Sequence, residues 1–176
     1  MQSKLKIKNA TGKNFGEIPN PCRSCLYWQT TGEYNETILK PETDHKKKEW
    51  LNAVAKAFGN CIKLAHVNDA AIGFIQYAPA KFFPRTREYA SGTPSDEAVF
   101  IACLYIVKKE ERGKGFGTSM LKSLLAELRE RDCLKVETFA RKSSGDNPSG
   151  SVRLYLANGF EVKNEKDDFP LLCLKL

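Results

Sequence analysis

The sequence contains no run of about 18 consecutive apolar residues, the length that a membrane-spanning helix requires. Its first residues, 1–6, lack the apolar stretch of a secretory signal. It also contains no internal repeat and no low-complexity linker, which argues against repeat proteins and disordered chains. With 176 residues, 41% hydrophobic and 28% charged, it is expected to form a single cytoplasmic domain over residues 1–176, without a membrane partner.

The net charge is positive, because 28 Lys and Arg stand against 21 Asp and Glu to give +7. This balance favours anionic partners, either phosphorylated cofactors or nucleic acids. The basic residues are scattered apart from Lys46, Lys47 and Lys48, which are expected to form a solvated helix face, and no aromatic-rich RNA-binding signature accompanies them. Nucleic-acid binding is therefore kept only as a third hypothesis, and no nucleic-acid partner is expected.

The six cysteines are expected to be reduced thiols, since no secretory signal precedes them. Cys22 and Cys25 form a C-x-x-C motif, which suits a redox pair, packing beside a cleft, or half of a zinc site completed by Cys61 and His66. Residues five apart on a strand point to opposite faces, which argues against that second half. Packing is favoured, and no metal is expected.

Hydrophobic periodicity predicts an α/β layered domain. Continuous or alternating apolar character predicts strands at residues 5–8, 61–67, 70–77, 98–107, 134–139, 160–162 and 171–176. Helical spacing predicts helices from Thr43 or Asp44 to 58, at 117–131 and at 151–158. Residues 15–31 are expected to be an ordered loop and residues 81–94 an exposed connection that reaches over a ligand. The order of elements indicates antiparallel strands first and a parallel pairing in the middle.

The most informative segment, Arg112-Gly113-Lys114-Gly115-Phe116-Gly117, joins the long strand at 98–107 to a helix. Backbone N–H groups at a helix N-terminus bind phosphate, and glycine lets the backbone approach an anion closely. The segment has neither the Gly-Lys-Ser/Thr of a P-loop nor the G-x-G-x-x-G of a dinucleotide-binding fold. It does satisfy [RQ]-x-x-G-x-[GA], which predicts a pyrophosphate site.

On these residues the chain resembles the GCN5-related N-acetyltransferase (GNAT) family. Leu154-Tyr155-Leu156-Ala157-Asn158-Gly159-Phe160 matches that family's L-Y-x-x-x-G-F, and Gly73-Phe74 suits its third strand. The resemblance covers roughly residues 61–162. It implies a mixed sheet of about six to seven strands, with an antiparallel first half, splayed parallel strands in the middle, and helices on both faces. The cofactor half would span about residues 98–162.

The resemblance also implies acetyl-CoA as the cofactor. The main chain around Tyr105, Ile106 and Val107 would pair with the pantetheine, and the N–H of Ile106 or Val107 would hold the developing oxyanion. Asn147 lies one position too far upstream of the family's usual asparagine. The expected cofactor-binding residues are Tyr105, Ile106, Val107, Arg112, Gly113, Lys114, Gly115, Phe116, Gly117, Thr118 and Asn147.

Catalysis requires a proton donor for the departing thiolate and a proton acceptor for the amine. Tyr155 is expected to donate the proton, although it also suits a core position. Glu97, with Asp96 beside it, and Glu137 are the candidate bases, although a polar strand entry is the favoured reading of Asp96 and Glu97, and an outward strand position or a buried salt bridge that of Glu137.

The leading hypothesis is an acetyl-CoA-dependent N-acetyltransferase in which the amine attacks the thioester directly in a ternary complex. The alternative is a non-catalytic coenzyme A-binding or sensing module. The acceptor would be a small-molecule or peptide amine, with Tyr27 and Trp28 in its pocket, and the protein a monomer or homodimer.

Overall fold

A computed structural model describes residues 4–34, 40–143 and 146–176 of the chain, without the side chain of residue 40. The strands are β1 (Leu5–Asn9), β2 (Ile62–Val67), β3 (Ala70–Pro79), β4 (Ala98–Ile106), β5 (Lys135–Phe139), β6 (Glu161–Asn164) and β7 (Leu171–Lys175). The helices are α1 (Lys40–Ala57), α2 (Phe116–Glu130) and α3 (Val152–Leu156). No helix in the described ranges is both long and apolar enough to cross a membrane.

The seven strands form one mixed sheet in the order β1-β2-β3-β4-β5-β7-β6. Its first half is antiparallel, and the turn between β2 and β3 places both Asn68 and Asp69 at positive φ, as a tight hairpin requires. Only β4 and β5 pair in parallel, in the middle of the sheet. The predicted fold class is therefore confirmed.

Two apolar layers cover the two faces of the sheet. On one face, Leu51 and Val54 of α1 pack with a cluster of rings that includes Trp28, Phe100 and Phe139. On the other face, the apolar stripe of α2 packs against the sheet together with α3. This stripe consists of Met120, Leu121, Leu124, Leu125 and Leu128, as its helical spacing predicted.

A bulge in β4 separates its two ends. Gln76 of β3 pairs with Cys103 and Tyr77 pairs with Ile101, so Ala102 is the extra residue. On its other side, β4 pairs with β5 only from Ala98 to Ile101. Beyond the bulge β4 has no partner strand on that side within the described residues, and the sheet opens there.

Three local expectations were wrong. Helix α1 begins at Lys40 rather than at residue 43 or 44, and Asp44 accepts hydrogen bonds from Arg23 and Ser24 instead of capping the helix. The connection at residues 81–94 is not exposed throughout, because Arg85 is buried and donates to the carbonyl groups of Tyr27 and Gly32. Lys47 is 2% exposed and lies inside the core.

Candidate functional site

The glycine-rich segment forms an open cradle at the N-terminus of α2. Gly113 and Gly115 adopt φ of 74° and 81°, and a Cβ atom built on either would meet no atom within 4 Å. No side chain caps the helix, and its first hydrogen bond runs from Ser119 N–H to Gly115 C=O. The N–H groups of residues 115–118 therefore have no acceptor within the helix, which is the arrangement that binds an anion.

The two basic residues of the segment are both engaged with other groups. Arg112 donates from Nε to the carbonyl of Ile106 at 2.8 Å and from one terminal nitrogen to Asp146 at 2.8 Å, and its guanidinium lies over the ring of Tyr105. Hydrogen bonds from Tyr105 and Arg112 hold the pKa of the Asp146 carboxyl below its usual value. Lys114 forms an ion pair with Glu111 at 2.9 Å. The cradle therefore presents main-chain N–H groups more directly than cationic side chains.

The splayed end of β4 turns alternate backbone groups into the opening. Val107 N–H donates to the carbonyl of Ile72, on the β3 side. Because successive N–H groups of a strand alternate in direction, those of Leu104 and Ile106 point to the other side. Leu104 N–H there donates to the carbonyl of Pro148 at 2.7 Å. Of the two predicted oxyanion donors, only Ile106 has an N–H that faces the opening. The N–H of Val107 is bonded to β3 and is therefore excluded as an oxyanion donor.

Two cavities meet at this opening. The loop cavity, about 420 Å³ in volume, contains eight of the eleven predicted cofactor-binding residues. These are Tyr105, Ile106, Arg112, Gly113, Gly115, Phe116, Gly117 and Thr118. Val107 and Lys114 do not line it, and Asn147 lines the second cavity instead.

The second cavity, here called the aromatic cavity, has a volume of about 580 Å³. Its walls are mainly rings, those of Tyr27, Trp28, Tyr34, Tyr89 and Phe169. Residues adjacent in the chain line the two cavities and form a shared wall between them. Cys103 lines the aromatic cavity and Leu104 the loop cavity, while across the opening Ser149 lines the former and Gly150 the latter.

Tyr155 lies inside this shared wall. Its side chain is fully buried, and its hydroxyl donates to the carbonyl of Ser149 at 3.1 Å. A Cβ atom on Gly150 would come within 3.3 Å of that hydroxyl oxygen. Burial raises the pKa of Tyr155 well above its ordinary value, so the hydroxyl stays protonated at neutral pH. Tyr155 is thus a core residue whose hydroxyl lies beside Ser149 of the aromatic cavity and Gly150 of the loop cavity.

The candidate bases Glu97 and Glu137 lie elsewhere. Glu97 precedes the first residue of β4, about 23 Å along the strand from Leu104. It pairs with Lys135 at 2.6 Å, and this hydrogen bond lowers its pKa. Glu137 is fully buried and accepts hydrogen bonds from Ser95 and Lys163 at 2.7–2.9 Å. Neither residue, nor Asp96, lines either cavity.

Replacing Glu137 with alanine is expected to lower the free energy of unfolding by about 2–4 kcal/mol, because the change leaves the polar groups of Ser95 and Lys163 without their buried acceptor. The kcat of the folded fraction should not change. Denaturant titration measures the first quantity, and thiol release from acetyl-CoA measures the second. A stable variant that had lost turnover would instead place Glu137 in the chemistry.

The two carboxylates of the aromatic cavity, Glu88 and Asp167, were not predicted as site residues from the sequence. Glu88 lies in a segment predicted to be an exposed connection, and Asp167 lies between two predicted strands in a stretch without periodicity. Only the folding of both segments over the sheet brings them near Cys103. No pattern in the sequence predicts that these two carboxylates lie at the same cavity.

The cysteines do not form a metal site in the described part of the chain, where no group of three or more His, Cys, Asp or Glu is placed to hold an ion. All six are free thiols. His66 pairs with Glu17 at 3.2 Å rather than with a cysteine. Cys22 is buried, which raises its pKa to about 12, whereas Cys25 lines the aromatic cavity. This placement agrees with packing beside a cleft.

Comparisons with known proteins find one matching family model and several solved structures of similar fold. The family model described as the acetyltransferase (GNAT) family matches residues 24–160. A comparison with curated protein sequences finds no match.

Solved structures of similar fold include three acetyltransferases. The ribosomal-protein-alanine N-acetyltransferase of Brucella melitensis is 20% identical with a TM-score of 0.64, and the match covers 97% of this chain and 99% of that one. An N-acetyltransferase of Staphylococcus aureus is 18% identical with a TM-score of 0.64, covering 99% and 98%. The PaiA N-acetyltransferase of Thermoplasma acidophilum, solved with coenzyme A, is 18% identical with a TM-score of 0.62, covering 98% and 99%. At these identities the likeness shows the fold alone.

Proposed function

Since the chain belongs to the GNAT family of acetyltransferases, we propose that it binds acetyl-CoA in the loop cavity and transfers the acetyl group to a primary amine in the aromatic cavity. The observation that carries this proposal is the shared wall, where consecutive residues of β4, Cys103 and Leu104, face different cavities. An amine and a thioester entering from the two sides meet at the bulge of β4. The transfer then proceeds by direct attack in a ternary complex.

The residues at the loop cavity fit coenzyme A. The cradle offers unpaired helix N–H groups around open space, as a pyrophosphate requires, and the PaiA protein of the same fold was solved with coenzyme A. Acetyl-CoA, when bound, supplies an acetyl group activated as a thioester.

Two groups of the chain are placed to assist the transfer. Ile106 N–H points into the opening, where it is suited to donate to the thioester carbonyl and to the oxyanion that develops from it. The hydroxyl of Tyr155, beside Ser149 and Gly150 at the border of the two cavities, is placed to donate its proton to the departing thiolate. Tyr155 then regains a proton, the one that the attacking nitrogen loses as the amide forms, so the protons of the transfer balance.

The amine arrives as an ammonium at neutral pH and must lose a proton before it attacks. Glu97 lies too far from the two cavities to accept this proton. Glu137 is already fully paired with hydrogen-bond donors. Glu88 lines the aromatic cavity, with one oxygen accepting from Gly32 N–H and the other from Arg85 at 3.0 Å. Each carboxylate oxygen has further lone pairs for a water molecule. Glu88 is therefore the proposed proton acceptor, acting through water.

Replacing Glu88 with glutamine, which keeps an acceptor for Gly32, is expected to lower kcat/KM at pH 7 by about 100-fold. The loss should shrink as pH rises, because a larger fraction of the amine is then neutral. A pH-rate profile measures both effects. Glu97→Gln is the matched control and should behave as the unaltered protein. A larger loss in the control, or a pH-independent loss at Glu88, would contradict the assignment.

The function itself is tested by incubating the protein with acetyl-CoA and a panel of amines, peptides with free N-termini included, and following release of free thiol. Thiol release that requires both amine and protein is the expected result. Thermal stabilisation by coenzyme A without turnover of any amine would favour a non-catalytic coenzyme A-binding module. Oligonucleotide binding that acetyl-CoA fails to displace would favour the nucleic-acid hypothesis.

A further inference from the structure

The charge of the aromatic cavity is opposite to that of the whole chain. The protein has a net charge of +7, yet among its described residues those that line this cavity include two carboxylates, Glu88 and Asp167, and no Lys or Arg. The loop cavity, by contrast, is lined by one carboxylate, Glu111, one guanidinium, Arg112, and the positive end of a helix. A basic protein that places carboxylates around one cavity favours a cationic ligand there.

The two carboxylates are not equivalent. Glu88 forms an ion pair with the buried Arg85, so much of its charge is offset within the protein. Asp167 accepts a hydrogen bond from Phe169 N–H at 2.8 Å and forms no salt bridge within the described ranges. Its neighbours do have partners, since Asp168 pairs with Arg141 and Glu165 with Lys142. Asp167 is thus the carboxylate whose charge is available to a ligand.

Aromatic rings form much of the lining of the cavity that Asp167 borders. The ring of Trp28 stacks on Tyr89 at 5.2 Å, and Phe169 meets the edge of Tyr89 at 5.7 Å. Because these rings hold one another in place, they form a rigid surface that suits a methylene chain. The volume of about 580 Å³ is ample for a linear amine of a few carbons.

We propose that the acceptor is a diamine, an aliphatic amine with a second positive charge at the far end of its chain. Its reacting nitrogen lies at Cys103 and Ser149, its methylene groups lie against Trp28 and Tyr89, and its distal ammonium pairs with Asp167. This assignment rests on the acetyltransferase function proposed above and names the substrate class of that site. Asp167 is then a specificity-determining residue that acts on binding and not on the chemical step.

The test compares three linear amines that each contain four carbon atoms, putrescine, butylamine and γ-aminobutyrate. Their kcat/KM values are measured with saturating acetyl-CoA. The expected order is putrescine first, butylamine about 10-fold lower, and γ-aminobutyrate lowest, since its distal carboxylate would meet Asp167. Asp167→Asn should reduce the advantage of putrescine over butylamine by about 5- to 10-fold through KM, with the rate on butylamine unaltered. Glu165→Gln, the same charge change in the same loop but outside the cavity, should leave the ratio intact.

Two outcomes overturn the diamine assignment alone. One is a preference for butylamine or γ-aminobutyrate, or for a peptide N-terminus included in the same panel. The other is an unchanged ratio in Asp167→Asn. Both leave the acetyltransferase function standing, because thiol release is still seen. If no amine releases thiol while coenzyme A still raises the melting temperature, the proposed function fails and the diamine assignment fails with it.

Discussion

Replacing Gly115 with aspartate is expected to weaken coenzyme A binding by roughly 100-fold or more. Gly115 is the N-cap of α2, and a side chain there would project into the open cradle, where nothing lies within 4 Å of the added Cβ. The negative charge would then stand where a pyrophosphate must lie, at the end of the helix that favours anions. Isothermal titration calorimetry with coenzyme A measures the loss.

The control for this substitution is Gly115→Asn. Asparagine has nearly the shape of aspartate and adopts positive φ with similar ease, so both variants carry the same backbone strain at φ 81°. The difference in their affinities therefore isolates the charge. We expect asparagine to weaken binding by only about 10-fold. Equal affinities of the aspartate variant and the unaltered protein would rule out the cradle as the phosphate site.

The second large effect is expected at Tyr155. Tyr155→Phe should lower kcat by about 100- to 1000-fold while the affinity for coenzyme A changes little, because only the proton donor is lost. The variant also loses the hydrogen bond to the carbonyl of Ser149, which should cost about 1 kcal/mol of stability. A thioester with a more acidic thiol should recover part of the rate, since its thiolate departs without a proton.

Tyr77→Phe separates the catalytic role of a hydroxyl from its structural one. Tyr77 is also fully buried, and its hydroxyl donates to Glu127 at 3.0 Å on the α2 side of the sheet, away from both cavities. Its removal should lower stability to a similar extent and leave kcat unchanged. If the two variants lose turnover equally, or if Tyr155→Phe keeps full turnover, Tyr155 has no part in the proton transfer.

The cofactor side of the site could be predicted from sequence because it is local. Arg112 to Gly117 follow one another along the chain, and a strand, a glycine turn and a helix in succession create unpaired N–H groups wherever they occur. The same holds for the α2 stripe and for the hairpin at Asn68 and Asp69. In each of these segments the interacting residues are within a few positions of one another in the chain, so their spacing in the sequence identifies the feature.

The predictions that did not hold depended on distant partners. Whether Val107 or Ile106 offers its N–H to the opening follows from the register of β4 against β3, which the bulge at Ala102 shifts by one residue. Lys47 was expected in solvent, but it is buried, and its ammonium group donates a hydrogen bond to the carbonyl of Cys25. The spacing of residues along one strand or helix does not predict such long-range contacts.

By itself the sequence determined the order of strands and helices, the glycine-rich cradle at the start of α2 and the family, since each rests on residues adjacent in the chain or at a fixed period. Only the tertiary structure decided that Glu97 lies at the end of β4 far from the cradle, that Glu137 is held by Lys163, and that Glu88 and Asp167 border the same cavity. The physical reason is that the aromatic cavity is built from segments far apart in the chain that pack on one face of the sheet. The packing of rings, and no local pattern, brings Trp28, Tyr89 and Phe169 together.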